Sequence, residues 1–74
     1  MYKYINKELD DKIKHQLYNK QIDIQYLSYT SYNIDNIIND KCKFIENNGY
    51  IVDQCEIRYL YCEFIAKIKA TKTF

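Results

Sequence analysis

The sequence predicts a mainly α fold: one small domain over residues 1–74, built from three helices and one short extended segment. Three observations carry this expectation. Ile57, Leu60, Tyr61, Phe64, Ile65 and Ile68 recur at i, i+3, i+4, i+7, i+8 and i+11, which draws a continuous apolar stripe at helical spacing. Ile5, Leu9, Ile13 and Leu17 recur every four residues. Ile34, Ile37, Ile38 and Ile45 form a third apolar face that runs into Asn47-Asn48-Gly49. That ending is a strong helix stop, because glycine readily takes the left-handed conformation a C-cap requires.

The first helix is expected to start at Asn6 as N-cap. Glu8, Asp10 and Asp11 would then lie early and Lys14 and Lys20 late, the order the helix dipole prefers. Glu8–Lys12 and Asp10–Lys14 are i, i+4 pairs on a solvated face. Residues 21–30 come next and alternate as a strand, with Ile22, Ile24, Tyr26 and Ser28 against Asp23, Gln25, Leu27 and Tyr29. Apolar residues occur on both faces. A lone strand among helices has nothing to pair with, and its exposed edge would recruit another chain or a second copy.

Asn33 is the expected cap of the second helix, with Cys42 beside its buried isoleucines. The third helix is expected over residues 54–70. Asp53 and Glu56 have the spacing of a capping box there, Val52 and Ile57 that of a hydrophobic staple, and Glu63 precedes Lys67 by four. A competing reading is α+β, with a small antiparallel sheet formed by 21–30 and a 50–70 hairpin. Cys55, Ile57, Tyr59 and Tyr61 alternate, as do Phe64, Ala66, Ile68 and Ala70, and the aromatic and β-branched content suits strands. Against it, Tyr50 to Ala70 contains no Gly, Pro, Asn-Gly or Asp-Gly on which to turn. A reversal near Leu60–Glu63 is what this reading requires.

Composition narrows the function classes. A chain of 74 residues buries only about 60% of its unfolded surface, so a partner would help to complete its core. A net charge of +1 gives no strong field of either sign. That argues against a DNA mimic and weakens a non-specific nucleic-acid binder. Enrichment in Ile, Lys, Asn and Tyr fits the codon bias of an AT-rich genome. No apolar stretch approaches a membrane span, and Met1-Tyr2-Lys3-Tyr4 leads into charges rather than a secretory signal. A cytoplasmic location is the expectation.

Nothing in the sequence carries a reaction. The single histidine, His15, sits among charged neighbours without an orienting partner. The single glycine, Gly49, rules out phosphate-cradling loops that need several. Cys42, Cys55 and Cys62 lack CxxC spacing, so free thiols are expected rather than a disulfide framework. With His15 they match no familiar zinc spacing. No catalytic residue, metal or cofactor is therefore expected, and no motif is specific enough to point to a family.

The nine tyrosines are the distinctive feature. Tyr supplies large contact area at low rotamer cost with a polar rim, as interface hot spots require. Tyr26, Tyr29 and Tyr32, with Tyr59 and Arg58, are the candidate partner-binding residues. The expected function is a small non-enzymatic protein-binding module. A phage or mobile-element inhibitor of a host defence complex, of anti-CRISPR type, fits its size and composition. The alternative is a small DNA- or RNA-binding regulator using Lys67, Lys69 and Lys72, with tyrosines stacking on bases. A homodimer joined through the Tyr26–Tyr32 edge is compatible with either.

Overall fold

The computed structural model describes the backbone of residues 2–29 and 33–73, with the side chains of 7–29 and 33–73. Its order is α1 (Tyr2–Gln16), β1 (Gln21–Tyr29), α2 (Ile34–Asn47), β2 (Tyr50–Leu60) and β3 (Glu63–Lys72). The fold is α+β and not mainly α. The three strands form one antiparallel sheet in the order β1-β3-β2. Because β1 and β2 both run against β3, they are parallel to each other, and α2 is the crossover between them with β3 inserted in the gap. This is a split βαβ arrangement.

The single helix expected over residues 54–70 is a hairpin, and the competing α+β reading describes it. The reversal falls at Tyr61-Cys62, between the last ladder pair, Leu60 and Glu63. Tyr61 makes the turn by adopting φ 54°, the positive φ at the first loop residue that two-residue hairpin turns share. The apolar pattern settles the matter on β3. Phe64, Ala66, Ile68 and Ala70 are all buried at period two, which a helix could not put on one side. Of the six residues in the helical stripe, Leu60 and Tyr61 are exposed and Ile65 stands on the opposite face from Phe64.

Asp53, the expected cap of that helix, is instead an extra residue in β2. The register steps from Val52↔Ala70 to Gln54↔Lys69, leaving Asp53 unpaired in the ladder. Its Oδ2 accepts a hydrogen bond from Thr71 Oγ1 at 2.6 Å. Such a bulge shifts the inward–outward alternation by one residue. Val52 points inward before it, and Cys55, Ile57 and Tyr59 do so after it, opposite Ile68, Ala66 and Phe64.

Both helices lie on one face of the sheet. α1 packs on β1 and α2 on β2, and they touch each other above β3. The core is Leu9 and Ile13 from α1, Ile34, Ile37, Ile38, Cys42 and Ile45 from α2, and the inward rows of the strands. α1 starts before Asn6, which is therefore an interior helical residue and not the expected N-cap. The side chain of Ile5 lies outside the described residues. Asn33 does occupy the N-cap position of α2, but at φ 72° and without a side-chain cap bond; its Oδ1 instead accepts from the Asn36 amide. At the other end Gly49 takes φ 90° and its N–H donates to Glu46 O at 3.0 Å, the helix stop read from the sequence.

Candidate protein-docking face

The strand alternation that sends one set of side chains into the core sends the other to a face that the helices leave bare. Cross-strand partners in an antiparallel sheet share a side, so the register fixes the rows on this face. Nearest the β2–β3 turn stand Tyr29, Glu63 and Leu60, and the next row is Leu27, Ile65 and Arg58. Beyond them come Gln25, Lys67 and Glu56, then Asp23, Lys69 and Gln54. The first two rows form an apolar patch. Leu27 is 58%, Tyr29 65% and Leu60 49% exposed, and Ile65 between them is half-buried. Arg58 and Glu63 rim the patch with opposite charges.

The structure separates the tyrosines that the sequence grouped. Tyr26 points into the core, its ring centroid 6.0 Å from that of Phe64 and its hydroxyl donating to Glu8 Oε2 at 3.0 Å. Burial, reinforced by the Glu8 carboxylate, raises its ionisation above the ordinary tyrosine value. Tyr29 faces the opposite way, on the bare face. Tyr32 lies outside the described residues. Tyr59 stands on the helix side of β2, half-exposed, and its hydroxyl donates to Asp35 Oδ1 at 2.7 Å. That hydrogen bond is the main reason its phenol also resists ionisation. Tyr50 is core, with its hydroxyl 2.7 Å from Leu17 O and 2.6 Å from Asn19 O.

Of the predicted partner-binding set, then, Tyr29 and Arg58 stand on the bare face, whereas Tyr26 is a core residue and Tyr59 is bound to Asp35 on the helix side, so neither belongs to the patch. Leu27, Leu60 and Ile65 were missed. The signal for Leu27 was present in β1, where the otherwise polar series Asp23, Gln25 ends in Leu27 and Tyr29.

The alternative lysine set is also divided. Lys67 and Lys69 lie on the bare face of β3, flanked by Gln25 and Glu56 and by Asp23 and Gln54. Lys72 turns to the other side, where its ammonium sits 4.6 Å from the Tyr50 ring centroid and donates to Asn48 O. The charges across the bare face therefore alternate in sign. A nucleic-acid backbone would meet carboxylates as often as ammonium groups.

His15 is exposed on α1. Among the described residues no group of three or more His, Cys, Asp and Glu side chains converges on a metal position, and no helix is long and apolar enough to cross a membrane. No known family, characterised protein or solved structure matches the chain.

Proposed function

We propose that the protein is a small non-enzymatic binding module that docks on a larger protein through the bare sheet face at the β2–β3 end. The observation that supports this reading is the patch of Leu27, Tyr29, Leu60 and Ile65, three of them about half or more exposed on one face of the sheet beside Arg58. Contiguous apolar surface rimmed by charge is the usual mark of an interaction site, and Tyr and Arg are the residues such sites most often use as anchors. The proposed setting, a phage or mobile-element inhibitor of a host defence complex, rests on chain length and composition alone.

The patch can be removed without touching the core. Leu27→Ser, Tyr29→Ala and Leu60→Ser together should leave the circular dichroism spectrum unchanged. The wild type should retain a protein from a lysate of an AT-rich bacterium, the triple variant should not, and added salt should weaken that retention little. Retention that survives the triple substitution would refute the docking face. Retained nucleic acid whose binding falls steeply with salt would favour the regulator reading instead.

A further inference from the structure

Cys42 and Cys55 lie thirteen positions apart in sequence, and the short turn at Asn48-Gly49 folds β2 back along α2. Cys42 sits on the buried face of α2. Cys55 reaches that same side only because the Asp53 bulge puts it opposite Ile68 rather than on the bare face. Their sulfur atoms are 2.8 Å apart. The two thiols differ in access, since Cys42 is buried and Cys55 is exposed. Cys62, the third thiol, is exposed at the hairpin turn, seven residues beyond Cys55 in the chain.

We propose that Cys42 and Cys55 are an oxidation site: a peroxide converts them to a disulfide that staples α2 to β2. The S–S bond of a disulfide is about 2.0 Å long, so closing it moves the sulfurs by less than an ångström. The access difference sets the order of events. Cys55, in contact with solvent, attacks the peroxide oxygen as its thiolate and becomes a sulfenic acid, releasing hydroxide that is protonated to water. Cys42 Sγ then attacks the Cys55 sulfur. The S–O bond breaks, and the oxygen leaves with the Cys42 proton as a second water. Two thiols and one hydrogen peroxide thus give one disulfide and two waters, with two electrons passing from sulfur to oxygen. Burial and the neighbouring Cys55 push the ionisation of Cys42 up to about 12, which keeps Cys42 protonated while peroxide is present and leaves Cys55 as the entry point. Cys42 gives up its proton only to the departing oxygen of the sulfenic acid it touches.

The new bond closes a short loop across the turn between α2 and β2. Closure of a loop of this size removes conformational freedom from the unfolded chain, and the melting temperature should rise by on the order of 10 °C.

The test uses the full chain carrying Cys62→Ser, which excludes cross-linking through the turn, beside the wild type. Each is fully reduced and then treated with hydrogen peroxide. The expected result is a monomer lighter by two hydrogen atoms, a peptide linking Cys42 to Cys55 after proteolysis, and a higher melting temperature that dithiothreitol reverses. Cys55→Ser, at an exposed position, should fold normally and lose all three effects. The proposal is overturned if Cys55 proceeds to sulfinic acid while Cys42 stays a free thiol, if the wild type links through Cys62 instead, or if the Cys42–Cys55 link forms with no rise in melting temperature.

Discussion

The side-chain amide of Gln16 pairs with the backbone of Asp23 as a neighbouring strand would. Its Nε2 donates to Asp23 O at 3.1 Å, and its Oε1 accepts from Asp23 N at 2.8 Å. Both bonds fall on the edge of β1 that faces away from β3, so the end of α1 occupies part of the edge on which a second chain would otherwise pair. Gln16→Ala should cost about 1–2 kcal/mol for the two bonds and expose that edge. Sedimentation at increasing concentration should show more self-association for the variant than for the wild type.

Lys41 and Asp10 tie α2 to α1, with Nζ and Oδ1 2.7 Å apart. The lysine is buried, whereas the aspartate side chain keeps 40% of its exposure. The two partners should therefore respond unequally. Asp10→Ala strands an ammonium group in the helix interface and should cost about 1–3 kcal/mol. Lys41→Met keeps the packed stem and removes the charge, so its cost should be smaller. Urea midpoints of the two variants check the order.

Tyr26 combines a ring in the core with one hydroxyl bond to Glu8. Tyr26→Phe keeps the ring and should lose about 0.5–1.5 kcal/mol. Tyr26→Ala empties a large core volume and should lose about 3–5 kcal/mol, in the range of other aromatic truncations. Tyr29→Ala, on the bare face, should change stability little. Equilibrium denaturation of the three variants separates support of the fold from contact with a partner.

Alkaline pH should destabilise the reduced protein. Burial raises the ionisation of Cys42, to about 12, and of Tyr26, and the Asp35 bond raises that of Tyr59. In each case the folded state holds its proton to higher pH than the unfolded chain does. Their contribution is complete below the unfolded values of about 8.5 for Cys and 10 for Tyr, and is lost as pH rises through the folded values. Stability measured from neutral to strongly alkaline pH should decline from about pH 8.5 upward. Cys42→Ala should delay the onset of that decline toward the tyrosine range.

Tyr61 is fully exposed and held at φ 54°. A left-handed conformation costs an ordinary L-residue about 1–2 kcal/mol, and Asn tolerates it better. Tyr61→Asn should therefore raise the melting temperature, with no packing lost to offset the gain. A lowered melting temperature would show that the ring is needed at the turn.

Three elements of the fold were legible in the sequence, although the fold class drawn from it was not. The isoleucines of α2, the stop at Gly49 and the alternation of β1 all lie where the pattern placed them. The hairpin was legible only as the competing reading, because short apolar runs satisfy two periods at once: Ile57, Phe64 and Ile68 suit a helix stripe and a pleated face equally. Two local features then concealed the strands. The turn uses Tyr61 where a glycine or asparagine would have signalled it, and the Asp53 bulge breaks the alternation of β2 in the middle. The candidate site was misgrouped for another reason. The alternation of β1 already sets Tyr26 and Tyr29 on opposite faces of a strand, but residue type alone put them in one binding set, and the structure sends one to the core and the other to solvent.

The extra residue at Asp53 lets β2 carry one residue more than its partner strand without changing sides. Were Asp53 itself to take the place opposite Lys69, everything beyond it would turn over: Glu56 and Arg58 would be driven against α2, Ile57 would be left in water, and the two sulfur atoms would end on opposite sides of the sheet. Deleting Asp53 would instead leave Gln54 opposite Lys69 and Cys55 opposite Ile68, so the shortened strand should keep its docking face and its thiol pair and give up only the hydrogen bond to Thr71.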